Sequence, residues 1–199
     1  AFPIAGMAKV DITAGTSSRS IDLKADSEIY MYDGAKTTIN NGNIRYETVS
    51  GDITIGGLNA GSSSISLVSG ALILDGGDTD VDILAANLRL SAITGAGTAA
   101  NHLETSVTTL SANVGTGGLF LTETNNITVD TVAAVVVNRV KTDGTVTGST
   151  VTDVATSDLV SAGAIILETT NGALTINGGG DTTGISATGN ILLKTSESG

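Results

Sequence analysis

The sequence predicts an all-β protein, a right-handed parallel β-helix in which short strands stack from one coil to the next. Three observations predict this fold class. Apolar residues alternate with polar ones over short spans, aromatic side chains are scarce, and a glycine-led strand pattern recurs along the chain. Together they indicate a long, thin body and not a wide globule.

Pairs of apolar residues two positions apart occur along most of the chain. This alternation places both apolar side chains on one face of a strand. Gly-Gly, Asn-Gly, Asp-Gly and Gly-Ser steps lie between the pairs, and these residues tolerate tight turns. Residues 98–109 are the best helical candidate, but they are rich in β-branched side chains and we expect no helix there. The pairs are Val10/Ile12, Ile21/Leu23, Ile29/Met31, Ile53/Ile55, Ile65/Leu67, Leu72/Leu74, Val81/Ile83, Leu88/Leu90, Leu119/Leu121, Ile127/Val129, Leu174/Ile176 and Ile191/Leu193.

The composition predicts a narrow core. Aromatic residues make up 3% of the 199 residues and Trp is absent, so large rings cannot fill a wide interior. The hydrophobic content of 40% is still sufficient for an ordered fold. Stacked columns of Ile, Leu and Val inside a thin coil satisfy both conditions.

A glycine followed by an apolar-x-apolar triplet is the repeated unit. The segment that begins at Gly70 returns at Gly172, and reduced forms begin at Gly51, Gly118, Gly163 and Gly189. Gly70 follows Gly51, and Gly189 follows Gly172, at close to the roughly 20 residues of one solenoid coil. One coil would then hold two or three strands.

We expect one continuous β-solenoid over residues 1–199, because no linker of distinct composition divides the chain. An irregular N-terminal cap is expected at about residues 1–50. Periodicity alone does not reveal the direction of strand pairing, so an antiparallel β-sandwich is the alternative fold.

Charge and cysteine content narrow the class of function. Twenty Asp and Glu against nine Lys and Arg give a formal net charge of -11, which repels nucleic acid and anionic membranes. The absence of cysteine excludes disulfides, thiolate metal sites and thiol catalysis. The longest apolar run, residues 132–137, is much shorter than the about 20 residues of a membrane helix. We expect neither a nucleic-acid partner nor membrane insertion.

Four stretches carry a family resemblance. They are LRLSAITGAGTAANHLET from Leu88, VTTLSA from Val107, GGLFLTET from Gly117 and GNILLKT from Gly189. These resemble the degenerate repeats of filamentous-haemagglutinin-like giant bacterial adhesins. The resemblance implies a right-handed parallel β-helix displayed on the bacterial cell surface. His102 stands where the repeats lead us to expect Pro, and no secretion-domain signature is visible, so an internal shaft segment is implied.

The stretch Asp75-Gly-Gly-Asp-Thr-Asp-Val-Asp is the strongest acidic constellation. In a strand, Asp78, Asp80 and Asp82 would lie on one face. Carboxylates of this kind bind Ca²⁺, but the stretch lacks the Gly and Glu of an EF-hand loop. A solvated outer face is the leading interpretation, and a Ca²⁺ site at these three residues is the alternative.

The remaining candidate residues indicate a contact surface and contain no catalytic group. Tyr30, Tyr32 and Tyr46 form the aromatic group, which favours an interface or an end cap over a sugar site. His102 lacks a second His at ligand or triad spacing, and we expect it at the surface. Gly95-Ala-Gly-Thr-Ala-Ala is followed by no amphipathic helix, so it predicts a turn and no dinucleotide site. We expect no catalytic residue and no cofactor.

These observations predict a non-enzymatic, extracellular structural or adhesive protein that forms an elongated shaft for cell-surface attachment or biofilm. Its partners would be a cell-surface or matrix component. The alternative is a self-assembling filament subunit that pairs with copies of itself by β-augmentation. A polysaccharide-acting β-helix enzyme is the third hypothesis, and it requires paired carboxylates on an outer wall.

Overall fold

The computed structural model describes residues 12–14, 19–77, 79–146 and 148–196. These residues form 21 strands and no helix. The strands are β1 (Ile12–Ala14), β2 (Ile21–Ala25), β3 (Ile29–Tyr30), β4 (Thr37–Ile39), β5 (Ile44–Thr48), β6 (Ile53–Ile55), β7 (Leu58–Asn59), β8 (Ser64–Ser69), β9 (Leu72–Asp75), β10 (Ile83–Ala92), β11 (Gly95–Ala96), β12 (Leu103–Val114), β13 (Gly118–Glu123), β14 (Ile127–Val129), β15 (Val135–Asn138), β16 (Thr150–Asp153), β17 (Leu159–Ser161), β18 (Ile165–Thr169), β19 (Leu174–Ile176), β20 (Ile185–Ala187) and β21 (Ile191–Thr195).

Nineteen of these strands form one β-solenoid of about eight turns with three walls. Wall 1 contains β1, β4, β7, the first parts of β10 and β12, and the last parts of β13, β18 and β21. Wall 2 contains β2, β5, β8, the later parts of β10 and β12, then β14, β17, β19 and β20. Wall 3 contains β3, β6, β9, β11 and the first parts of β13, β18 and β21. Every pairing within the walls is parallel.

The core consists of columns of stacked apolar side chains. One column inside wall 3 runs Ile29, Ile53, Ile73, Ala96, Leu119, Ile165 and Ile191. One inside wall 2 runs Leu23, Tyr46, Leu67, Leu90, Ala112, Leu159 and Ile185. Most members are completely buried. Burial of each Leu or Ile contributes about 1.5–3 kcal/mol, and the thin columns explain why so few aromatic rings are needed.

The repeated glycine unit marks wall 3. Strands β6, β9, β13, β18 and β21 each follow or begin with one of the predicted glycines. At Gly70 an added Cβ would lie 2.4 Å from the backbone oxygen of Val49 in the neighbouring coil, so a side chain has no room there. The unit at Gly172 is the exception, because β19 pairs with β14 in wall 2. Gly172 and Gly189 therefore lie on two walls of one coil and do not mark successive coils.

An antiparallel hairpin, β15–β16, is inserted between β14 and β17 and packs on the outside of wall 2. Val135 and Val137 on its inner face are almost fully buried. The hairpin covers an outward column of wall 2 that runs Asp22, Arg45, Ser66, Arg89 and Ser111. Polar side chains that would otherwise face solvent are buried as a result.

The prediction of an all-β fold with parallel, stacked coils is confirmed, and the antiparallel sandwich is wrong for the body of the molecule. Residues 98–109 contain strand and no helix, as expected. Strands β2 to β5 already belong to the stack. A cap formed by the first residues stays a prediction, because residues 1–11 lie outside the described residues.

Candidate functional site

The described residues between β9 and β10, 76–77 and 79–82, lie at the corner where wall 3 meets wall 1. Asp75 ends β9 and Asp82 directly precedes β10. Gly77 has a φ of 113°, which ends the extended backbone and turns the chain. Asp80 is exposed in this loop, and Asp78 lies outside the described residues. The expected strand with three carboxylates on one face is therefore not found in the described part of the loop.

Asp82 differs most from the sequence prediction of a solvated acidic face, because only 1% of it is exposed. It meets two further carboxylates, Asp75 and Glu104. One carboxylate oxygen from each of the three lies within 4.8 Å of the others. Asp75 is 8% exposed, and Glu104 is half-buried. The fold thus brings three acidic side chains from β9, the following loop and β12 into one cluster, the corner cluster.

Coil stacking holds two members of the corner cluster together. Glu104 lies 22 residues after Asp82, which is one coil of the solenoid. The Asp82 amide donates to the Glu104 carbonyl oxygen at 2.9 Å. The Glu104 amide donates to Oδ2 of Asp82 at 3.0 Å. Gly77 donates its amide to Oδ1 of Asp75 at 3.0 Å, which fixes the third carboxylate.

The remaining oxygens of the two aspartates have no hydrogen-bond partner. Within the described ranges, neither Asp75 Oδ2 nor Asp82 Oδ1 has a donor in reach, although both atoms are buried. Burial raises the pKa of Asp82 well above the ordinary range of a carboxyl group. The nearby carboxylates of Asp75 and Glu104 raise this pKa further, and the hydrogen bond from the Glu104 amide opposes the rise.

Glu123, a buried carboxylate one coil further along, shows the contrasting case. Its Oε2 accepts from the Thr105 hydroxyl at 2.8 Å and from the Val107 amide at 3.0 Å. Its Oε1 accepts from the Asn125 amide at 3.0 Å. Both oxygens of Glu123 are therefore satisfied by the protein itself, which is the normal state of a buried polar group. In the corner cluster, by contrast, Asp75 and Asp82 each have one buried oxygen that accepts no hydrogen bond from the described residues.

Sequence reasoning identified Asp82 but missed Asp75 and Glu104 as its partners. The signal for Glu104 was present in the repeat, since residues one coil apart stack on each other. Counting a coil of roughly 20 residues from Asp82 leads to the neighbourhood of residue 102, where Glu104 is the nearest acidic residue. The position of Asp75 depends on the loop conformation at Gly76 and Gly77, which no period in the sequence reveals.

The three tyrosines do not share one surface. Tyr30 and Tyr32 are exposed, and their rings meet edge to face with centroids 5.2 Å apart. Tyr46 is completely buried in a wall 2 column, where its hydroxyl is hydrogen-bonded to Thr37. Its alternation with Ile44 places it inside the coil. A contact surface predicted for all three is therefore limited to Tyr30 and Tyr32.

A buried ionic network joins wall 2 to the hairpin. Arg45 Nε donates to Asp153 Oδ2 at 2.8 Å, and its Nη1 donates to Glu47 Oε2 at 2.6 Å. Burial by itself would lower the pKa of Arg45, but its hydrogen bonds to Asp153 and Glu47 outweigh burial and raise the pKa. Arg139 in the hairpin donates to Asp22 in β2. These charges are paired and hydrogen-bonded, so the network serves to fix the hairpin on the solenoid.

His102 contacts two neighbouring side chains, Thr122 and Phe120. Its Nδ1 lies 2.9 Å from the Thr122 hydroxyl, and its ring lies 6.0 Å from that of Phe120 in a tilted arrangement. His102 is half-buried, in a corner between walls, where it was expected at the surface.

The fold and these sites define the class of the molecule as a parallel β-solenoid with one inserted hairpin. No protein-family model, curated protein or solved structure matches the chain. In the described ranges no helix has the length and apolar character needed to cross a bilayer.

Proposed function

We propose that the chain is a non-enzymatic, extracellular structural protein that forms part of an elongated shaft for cell-surface attachment or biofilm. The continuous parallel ladder is the observation that carries this proposal. Each wall hydrogen-bonds along the whole stack, and adjacent strands lie about 4.8 Å apart, so added coils extend the body in one direction. Such a stack of coils provides length and stiffness.

The outer surface supports the same function. Oppositely charged side chains stack between coils, with Lys24 on Glu47 at 2.9 Å and Lys194 on Glu168. Exposed pairs of this kind contribute little stability, at most about 1 kcal/mol each. The net charge of -11 disfavours contact between parallel shafts in solution. Such a surface keeps the shafts apart from one another. Each shaft then remains available to bind a cell-surface or matrix component.

Surface labelling of the source cells tests the proposal. An antibody raised against this chain should label intact, unpermeabilised cells. Deletion of the coding segment for residues 19–196 should reduce attachment to a surface without changing growth in suspension. Labelling that appears only after permeabilisation, or unchanged attachment after the deletion, contradicts the proposal.

A self-assembling filament is a second candidate, favoured by the exposed last strand. β21 pairs with β18 on one side and has no other strand partner among the described residues. Ile191, Leu192 and Leu193 in β21 are 47%, 46% and 40% exposed. An open strand edge with apolar side chains is a template for β-augmentation by another chain.

The native source protein decides between the two candidates. A filament subunit predicts an intact mass near 19.7 kDa for the native polypeptide and concentration-dependent assembly in sedimentation velocity. Ile191→Lys should abolish that assembly, and Asn113→Lys, at an exposed position of wall 2 away from the open strand edge, should preserve it. A native polypeptide many times larger, with no assembly of the isolated chain, supports the shaft and contradicts the filament subunit.

A further inference from the structure

We propose that Asp75, Asp82 and Glu104 form a Ca²⁺ site that ties neighbouring coils together at the corner between walls 3 and 1. This inference is independent of the proposed function, since it applies to any role of the solenoid. It rests on the burial of the two aspartates, on their oxygens without donors, and on the arrangement of the three carboxylates.

The first step is that Asp75 and Asp82 each have a buried carboxylate oxygen without the hydrogen-bond partner that such an atom requires. Asp82 is 1% exposed and Asp75 is 8% exposed, yet Asp82 Oδ1 and Asp75 Oδ2 accept no hydrogen bond from the described residues. Two ionised carboxylates are both acceptors, so Asp75 and Asp82 satisfy each other only if one of them carries a proton, and a bound cation takes the place of that proton. A buried charge without a partner is costly, and a bound cation removes that cost.

The second step is the chemistry of the ligand atoms. The cluster offers carboxylate oxygens, and hard cations such as Ca²⁺ and Mg²⁺ prefer oxygen ligands. Ca²⁺ binds oxygen at about 2.3–2.6 Å, so two ligands on opposite sides of the ion lie about 5 Å apart. The ligand oxygens of the corner cluster lie within 4.8 Å of one another, so one Ca²⁺ can reach all three. Mg²⁺ usually keeps several of its waters and binds through one or two carboxylates, so a group of three protein carboxylates favours Ca²⁺.

The third step is the placement of the ligands in the fold. Asp75 ends β9, Asp82 lies in the connection to β10, and Glu104 lies in β12 of the next coil. A cation bound by all three therefore bridges one coil to the next and ties Asp75 at the end of β9 to Asp82 at the start of β10. Binding to the folded state alone stabilises the fold by mass action.

Calorimetric titration of the purified chain, stripped with EDTA, tests the site. The probe is CaCl₂ at physiological ionic strength, and the expected result is saturable binding of one Ca²⁺ per chain with a rise in Tm. Asp82→Asn keeps the shape of the side chain but removes its charge, and it should weaken binding by about tenfold or more. Asp143→Asn, in the turn of the hairpin, is the matched control and should bind as the wild type does.

Glu104→Gln is the second variant, because Glu104 is only half-buried and its replacement strains the fold less. It decides the test if Asp82→Asn fails to fold by circular dichroism, and it too should weaken Ca²⁺ binding. A wild-type chain that binds no Ca²⁺ saturably overturns the site, as does undiminished affinity in folded Asp82→Asn or Glu104→Gln. Displacement of Ca²⁺ by an equal concentration of Mg²⁺ overturns the choice of cation.

Discussion

At the residue scale, the face of the wall on which a side chain lies decides its contribution to stability. Leu110 and Thr108 lie in the same strand, β12, but Leu110 is completely buried inside wall 2, whereas Thr108 lies at the corner where β12 passes from wall 1 to wall 2 and is exposed. We expect Leu110→Ala to lower the free energy of unfolding by about 2–5 kcal/mol because it leaves a cavity in a thin column. Thr108→Ala, the control, should change it by less than about 0.5 kcal/mol. Equal losses in urea titrations would contradict the assignment of faces.

Glu123 gives a pH-dependent prediction at the same scale. Burial raises the pKa of Glu123 above its ordinary value, although the Thr105 hydroxyl and the amides of Asn125 and Val107 oppose the rise. Because the pKa of Glu123 is higher in the folded state than in the unfolded state, its contribution to the free energy of unfolding is fully present at pH values below the unfolded-state pKa. That stability is lost as the pH rises through the folded pKa.

The comparison of wild type with Glu123→Gln isolates this effect, because the other groups titrate alike in both chains. Gln leaves one of the three donors unsatisfied, so the variant should be less stable by about 1–3 kcal/mol. The difference in unfolding free energy should be larger near pH 4 than at pH 7, as measured by urea titration at both values. A difference that grows toward neutral pH would contradict the raised pKa.

At the element scale, the hairpin β15–β16 depends on the buried ionic network. Arg45→Ala leaves the buried Asp153 without its cation, which should cost about 3–5 kcal/mol, while Asp22 keeps its bond to Arg139. Hydrogen exchange should become faster in β15 and β16 before it does so in the wall strands. Lys24→Ala removes an ion pair with an exposed lysine from the same wall and should have little effect. Unchanged protection of the hairpin in Arg45→Ala would show that the network does not hold it.

The glycine corners give the second prediction at this scale. Gly70→Ala places a Cβ 2.4 Å from the Val49 carbonyl oxygen, so two coils must separate, at a cost of about 1–3 kcal/mol. Gly180→Ala is the matched control, because no atom lies within 4 Å of its added Cβ. Thermal unfolding of both variants measures the difference. A Tm for Gly70→Ala equal to that of the control would mean that the coils are not in close contact there.

Sequence patterns predicted the walls better than the features outside them. Period-two alternation places Leu88 and Leu90 in the core without knowledge of the fold, because a wall has one dry face. The same rule places Arg45 and Ser66 in solvent, yet both are buried under the hairpin, whose docking depends on residues about 90–110 positions away in the chain. The corner cluster escaped prediction for a similar reason, since Asp75 reaches Asp82 only through a loop conformation.

At the scale of the whole molecule, distance in space should follow the number of coils and not the number of residues. Lys24, Glu47, Val68, Ser91, Asn113, Val160 and Ser186 form one continuous column of register partners in wall 2. Asn113 and Val160 are neighbours in this column despite the hairpin inserted between them. The separation along the column should therefore grow by about 4.8 Å per coil.

Pulsed electron-spin resonance between pairs of spin labels measures these separations most directly. The chain has no cysteine, so labels attach only at introduced positions, and Lys24, Asn113, Val160 and Ser186 are all exposed. From Lys24, the stacked coils predict backbone separations of about 19 Å to Asn113, about 24 Å to Val160 and about 29 Å to Ser186. Equal steps in that order would support the parallel stack on which the account depends. Distances that do not increase from Asn113 through Val160 to Ser186 would contradict it.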